Sequence, residues 1–303
     1  MARRGIESSH GNHGVRHLKR TAWLFLLPAL SVNVLVILGP SIATVVLAFM
    51  DWNGLATPKF IGVSNFASLL KDEVFWSAIY NNARWTLIFL TVPVIMGLIA
   101  ANLMFMVKRG ATVYRTTYFI PVVVATAVSA RIWQQSIFHP IAGVAAWLAN
   151  HGLPFMSADF LGNPKIALYS IAFVDNWHWW GFLAVVFLVA MQQIDPILYQ
   201  AARVEGANRW QQFRYISFPL IRPTLVFMLL MTIIWSFLVF DFIYILTRGG
   251  PGYSTEVLAT LTYKRAFYTF QAGQASAVGL TMSLIGGIAI AFYIYLQRKG
   301  WEI

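Results

Sequence analysis

Tyr199-Gln-Ala-Ala-Arg-Val-Glu-Gly-Ala-Asn-Arg-Trp-Gln-Gln-Phe-Arg-Tyr-Ile-Ser-Phe-Pro219 is the stretch on which the reading of this 303-residue chain turns. It is rich in Ala, Gln, Arg and Glu, which favour helix. It therefore reads as a short helix over about 197–204, a break at Gly206 and a second helix over about 208–216, closed by Pro219 and Pro223. Ala201 and Ala202 offer a small surface that another protein can approach closely, and Glu205 with the arginines offers charge-assisted contacts around it. Two readings fit this pattern equally: a helix–break–helix that docks on a soluble partner, or a plain amphipathic interfacial helix.

The flanking sequence settles the class of fold. Hydrophobic residues make up 58% of the chain and charged residues 11%, and the mean hydropathy is +0.65. Soluble domains carry nearer a quarter charged residues. The apolar residues fall in blocks about 20 residues long, enough to cross roughly 30 Å of hydrocarbon. Six spans are expected at about 22–49, 85–107, 117–138, 166–190, 223–246 and 276–296. The apolar run Thr21 to Met50 is too long for the core of a cleaved signal peptide and reads as a retained first span. The chain has no cysteine, which excludes disulfides, thiolate nucleophiles and cysteine–zinc sites.

The formal charge of +11 is a topology signal. Arg3, Arg4, Arg16, Lys19, Arg20, Lys108, Arg109, Arg115, Arg203, Arg209, Arg214, Arg222, Arg298 and Lys299 all fall on one side of the expected spans. Lys59, Lys71, Lys165, Arg248, Lys264 and Arg265 fall on the other. The excess places both termini in the cytoplasm. Charge placed this way argues against nucleic-acid binding.

The segment resembles the EAA motif of bacterial ABC-importer permeases: E-A-A, two residues, D-G-A, five residues, F, then I-x-L-P. Ala201, Ala202, Gly206, Ala207, Phe213, Ile216 and Pro219 match in register. Glu205 replaces the aspartate, Gln200 the first glutamate and Phe218 the leucine. In that family the motif is the coupling helix that sits in a cleft of the ATP-binding subunit. Phe75-Trp-Ser-Ala-Ile-Tyr-Asn-Asn82 looks like the amphipathic lead-in to the core spans, and Arg115-Thr-Thr-Tyr-Phe-Ile-Pro121 resembles the R-x-x-x-F-x-P entry to the third. Gly249-Gly250-Pro251, after Leu246-Thr247 and before Ser254-Thr255, resembles the L-T-x-G-G-P…T signature of the carbohydrate branch, which includes maltose-type and glycerol-3-phosphate permeases. The resemblance runs from about 20 to 300.

It implies an all-α polytopic membrane protein of the bacterial inner membrane, with six transmembrane helices and a cytoplasmic coupling helix. The expected organisation is a basic tail over 1–20, the first transmembrane helix and outer loop over 21–76, and a five-helix permease core over 77–300 with the coupling segment at 195–222. A second homologous permease, two ATP-binding subunits and an extracytoplasmic solute-binding protein are the implied partners, within membrane lipid. No G-x-x-x-x-G-K-[ST] pattern occurs, so ATP and Mg are expected on the partner ATPase. The chain is expected to be a transport subunit and not an enzyme. The acids form no catalytic pair, and no His cluster has metal-ligand spacing.

Three places compete for the substrate. In Asp175-Asn-Trp-His-Trp-Trp-Gly181, the residues Trp177, Trp180, Gly181 and Ala184 follow i, i+3, i+4 spacing. Aromatic faces stack on sugar rings and a glycine leaves room beside them; the alternative is an interfacial tryptophan belt. His178 reads as a packing residue. In the fifth span, Ser236, Phe240, Asp241 and Tyr244 lie together; an acid there faces protein or a cavity, and Asp241 reads as structural more than ligating. The resemblance puts the sugar site at Trp177, Trp180, Gly181, Ser236 and Phe240. Arg131, toward the outer end of the third span, would be the cation for a phosphate ester or a snorkelling side chain. The competing functions are an amino-acid or peptide importer, which usually lacks the Gly-Gly-Pro loop, and a secondary transporter, which would show more membrane acids and a repeat. A membrane enzyme is the third.

Overall fold

A computed structural model describes residues 23–107 and 110–298. The basic tail of 1–20, Lys108, Arg109 and Lys299, used above for topology, lie outside the described residues. The first long helix, α1 (Trp23–Leu47), is apolar throughout, and none of its most apolar stretch is buried within the chain. That surface is left to lipid or to another subunit. A two-stranded hairpin, β1 (Met50–Asp51) antiparallel to β2 (Lys59–Phe60), and a short helix, α2 (Ser64–Leu70), follow.

Helix α3 runs unbroken from Glu73 to Met106, with Asp72 as its N-cap accepting from the Val74 amide at 2.8 Å. The lead-in and the second span are thus one helix of 34 residues, about 50 Å long at 1.5 Å per residue. The boundary expected between residues 76 and 77 falls inside it. The third span is not the straight helix expected over 117–138. It is α4 (Ala111–Val123) and α5 (Thr126–Ile137), bent by 92°. Pro121 has no N–H to bond the carbonyl one turn back, and Val124 takes an extended conformation (φ −71°, ψ 129°).

A short helix, α6 (Val144–Asn150), precedes the fourth span, α7 (Ala167–Gln192). Helices α8 (Pro196–Val204) and α9 (Arg209–Gln212) occupy the quoted segment, and α9 continues as a π-helical turn, Phe213–Ser217. The fifth span is α10 (Arg222–Leu238), a break at Val239 and Phe240, and α11 (Asp241–Leu246). A further helix, α12 (Leu258–Phe267), leads to the last span, α13 (Ala272–Arg298). Among the described residues, five helices are long and apolar enough to cross a membrane, or six with the bent pair counted as one.

The central pair is α3 and α7. In lipid there is little apolar transfer energy to gain, so close packing of small residues holds helices together. Gly97 does this on α3: a Cβ there would lie 2.9 Å from that of Leu183. Gly181 does it on α7, where the Tyr118 carbonyl of α4 occupies the place of a Cβ. One buried cluster gathers Met104, Phe187 and Met191 with Tyr199, Ile221 and Met228. A second gathers Trp85, Phe89, Ile171 and Val174 with Phe242, Ile243 and Leu246. Trp179 packs against both.

Candidate functional site

The two helix breaks lie on one cavity of about 390 Å³, lined by Trp85, Phe89, Thr126, Asp175, His178, Trp179, Thr232, Trp235, Ser236, Val239, Phe240 and Asp241 among others. Its size is that of a small-molecule site. Non-helical backbone at membrane depth is tolerated only where protein buries it or it lines a cavity, and side chains from far along the chain satisfy the freed groups here. His178 Nε2 lies 3.1 Å from the Val124 carbonyl at the first break. Before the second break, Asn82 Nδ2 donates to the Ser236 carbonyl at 2.9 Å, while its Oδ1 accepts from the Leu258 amide at 2.8 Å. Trp179 and Trp235 meet edge to face with centroids 4.8 Å apart. Trp85 stacks on Phe89 at 5.0 Å. The site is aromatic, with two carboxylates and several hydroxyls.

Ser236, Phe240 and Asp241 come together here as the sequence places them. Trp177, Trp180 and Gly181 do not line this cavity. Trp177 is over a third exposed and meets Trp133 at 5.6 Å, while Trp180 meets Tyr118 at 4.9 Å. The room beside Gly181 is filled by α4 backbone. Tyr244 stacks on Phe240 at 5.0 Å, and its hydroxyl lies 2.8 Å from that of Tyr268. Arg131 is off the cavity, donating to Gln134 Oε1 at 2.9 Å. Asp175, Trp179 and Trp235 are the cavity residues without an assigned role in the sequence, and Asn82, buried off the cavity, holds the second break. Asp175, His178 and Trp179 also follow i, i+3, i+4 spacing, so the signal for that face was present in the quoted run.

The segment from Asp195 to Ser217 builds its own shape. Asp195 caps α8, accepting from Ile197 N at 2.9 Å, with Pro196 in the first turn. At the other end, the Ala207 amide donates to the Ala202 carbonyl at 2.8 Å and the Gly206 amide to Arg203 at 3.1 Å. These are the paired bonds of a Schellman stop. Gly206 holds the left-handed conformation the stop requires, at φ +83°. Asn208 and Gln211 then form a reciprocal capping box, at 2.9 and 2.7 Å, that starts α9. Tyr199 and Ser217 share a buried hydrogen bond at 2.9 Å that ties the two limbs, and burial raises the Tyr199 phenol above its ordinary pKa. Leu198, Ala201, Ala202, Glu205, Gly206, Ala207 and Tyr215 line a surface hollow of about 450 Å³. Gln200 and Pro219 are exposed and Phe213 is half-buried. Val204, Trp210 and Tyr215 are 90%, 68% and 73% exposed, an apolar surface touched at its edge, where Trp210 meets Phe213 at 5.7 Å and Arg214 lies over the Tyr215 ring at 5.8 Å.

The Gly249-Gly250-Pro251 loop closes over an ion pair. Glu256 is wholly buried and pairs with Lys264. Gly249, at φ +82°, admits it, because a Cβ there would overlap the carboxylate. Thr255 Oγ1 donates to the Gly250 carbonyl at 2.7 Å and meets Thr247 Oγ1 at 2.8 Å. Asn81 Nδ2 donates to the Glu256 carbonyl at 2.9 Å, anchoring the loop on α3.

The comparisons with known proteins agree along nearly the whole chain. The model of the binding-protein-dependent transport system inner membrane component family matches residues 84–300. The chain is 35% identical over 275 residues to the probable ABC transporter permease protein YurN of Bacillus subtilis, covering 89% of this chain and 94% of that protein. It is 29% identical over 282 residues to the multiple sugar-binding transport system permease protein MsmF of Streptococcus mutans, covering 93% and 96%. Among solved structures, it matches a chain of a bacterial ABC transporter involved in the import of the acidic polysaccharide alginate with a TM-score of 0.84 at 24% identity, covering 95% and 99%. The chain belongs to the family of binding-protein-dependent transport system inner membrane components.

Proposed function

We propose that this chain is a permease subunit that carries a sugar inward in a binding-protein-dependent, ATP-driven importer. In this reading the cavity at the two helix breaks is its part of the solute path, and Asp195–Ser217 is its contact with an ATPase. The observation that carries the path is the meeting of both breaks on one aromatic cavity. Trp179, Trp235 and Phe240 offer faces to the apolar sides of sugar rings, and Ser236 lies among them. The names of the relatives support sugar over other solutes. Trp177, Trp180, Gly181, Tyr244 and Arg131 are assigned structural or rim positions.

The rest of the assembly follows the family. A second, homologous permease faces this one and encloses the path. Two ATPase subunits bind ATP and Mg and seat one coupling segment each, with both termini of this chain on their side of the inner membrane. A solute-binding protein delivers the sugar to the outer loops, including Gly249, Gly250 and Pro251. A solved alginate importer that the chain resembles in fold is in complex with an alginate pentasaccharide-bound periplasmic protein. Closure of the ATPase pair draws the coupling segments together and shifts the path between inward- and outward-open populations. Val204 and Trp210 give that contact apolar surface, and Ala201 and Ala202 allow close approach.

The test is reconstitution in liposomes with the neighbouring permease, ATPase and binding protein, and measurement of uptake over a panel of neutral sugars, glycerol-3-phosphate and amino acids. Uptake of a sugar that requires both ATP and the binding protein is expected. Uptake of an amino acid alone would overturn the sugar assignment, and failure to assemble with any ATPase would overturn the coupling assignment.

A further inference from the structure

We propose that the cavity selects a neutral, hydroxyl-bearing solute and repels an anionic one, through the carboxylates of Asp175 and Asp241. This rests on the path assigned above and goes further by naming the charge class of the solute. Both acids line the cavity, and among the described residues no lysine or arginine does. Asp175 is half-buried on α7 and Asp241 is exposed at the start of α11, so they approach the cavity from different helices. No hydrogen bond or ion pair reaches either carboxylate among the described residues. The third titratable group, His178, directs Nε2 at the Val124 carbonyl and sets its ring against Phe242 at 5.5 Å.

Acids within membrane spans are retained where they meet a partner or a wet cavity. Two acids on one cavity hold at least one negative charge between them, and an ionised carboxylate is an acceptor only, with several lone-pair sites. A polyol supplies the missing donors, and O–H bonds to a carboxylate are the strong, charge-assisted kind. A phosphate ester or uronate would instead bring negative charge beside two acids with no cation to offset it. Arg131, the cation the sequence offered for a phosphate ester, is bonded to Gln134 away from this cavity. Trp179, Trp235 and Phe240 add stacking faces that are indifferent to the order of hydroxyls, so the acids set charge class while the rings hold the solute.

The absence of cysteine in the chain allows a direct test. Val239→Cys places a thiol at the cavity wall beside the second break. The whole importer carrying it is treated with a cationic and an anionic methanethiosulfonate of matched size, and labelling of this chain is followed by mass spectrometry. Relative to a free thiol in the same buffer, the cationic reagent is expected to react at least about tenfold faster than the anionic one, as fields focused in a charged cleft change local ion concentration by that order. Asp175→Asn with Asp241→Asn is expected to abolish the preference, and Asp241→Glu to keep it. Equal rates for the two reagents, or a preference that survives loss of both acids, would overturn the selection while leaving the path intact. If neither reagent labels Val239→Cys, the proposal and the path fall together. The ratio in the Val239→Cys chain alone decides the matter if the double variant does not assemble.

Discussion

In the segment Asp195–Ser217 the bonds that start and stop the helices join residues two to five apart, Asp195 to Ile197, Asn208 to Gln211 and Ala207 to Ala202, and the longer tie, Tyr199 to Ser217, spans 18 residues within the segment. Around Phe240 the corresponding bonds join His178 to Val124, Asn82 to Ser236 and Leu258 to Asn82, at separations of 54, 154 and 176 residues. The first region is a local device whose surface is open, and the second is assembled from α3, α5, α7, α10 and α11 around a space. A change in the first should therefore disturb what the chain touches. A change in the second should disturb the fold of the chain itself.

Gly206→Asp should separate the two most sharply. Nothing lies within 4 Å of a Cβ at Gly206, and Asp tolerates the left-handed conformation better than most residues. The folded chain should survive at a cost of about 1 kcal/mol. Transport should fall at least about a hundredfold, the size of a coupling energy of about 3 kcal/mol. Transport at the unmodified rate would remove the segment from the coupling path.

Asn82→Leu should do the reverse. It strips partners from the buried Ser236 carbonyl and Leu258 amide, at about 1–3 kcal/mol for each group left unpaired. Thermal unfolding of the purified chain should shift down by several degrees; an unchanged midpoint would mean that these bonds do not hold the break. Trp179→Ala removes a ring that touches both buried clusters and the cavity. Uptake should fall about tenfold, equivalent to about 1.4 kcal/mol, and unchanged uptake would take Trp179 off the path. The smallest effect belongs to Asn208→Ala, which loses a cap worth about 1 kcal/mol. Transport should drop no more than about fivefold, and a loss as deep as that of Gly206→Asp would show that the shape of α9 is not set locally.

The same difference in range decided what could be read from the sequence. Gly206, Asn208 and Pro219 announce stops and starts through backbone and side-chain effects confined to their own neighbours. The helix–break–helix was therefore legible, with only the π-helical turn at Phe213–Ser217 hidden. Five of the six expected spans were legible because each is a continuous apolar block, and the third is a bent pair that passes the same test only when counted as one. The bend at Val124 was only hinted at by Pro121, and the break at Val239 carries no glycine or proline. Both are held by His178 and Asn82, whose partners no spacing rule connects. Trp179 and not Trp177 or Trp180 lines the cavity, and the spacing did not show this for a related reason. Three tryptophans in four positions put one on almost every side of α7, and only the contact with α4 at Gly181 shows which side is closed.

The claim that joins both regions is that a nucleotide bound below the membrane opens the cavity above through Asp195–Ser217. Labelling of Val239→Cys by an impermeant thiol reagent, added only outside liposomes that contain the full importer, tests it directly. With ATP and Mg supplied on the ATPase side and the loaded binding protein outside, labelling is expected to rise about tenfold or more. With Gly206→Asp in the same chain it should remain at the level without nucleotide. Labelling that ignores ATP, or that responds to ATP equally when Gly206 is replaced, would contradict the account.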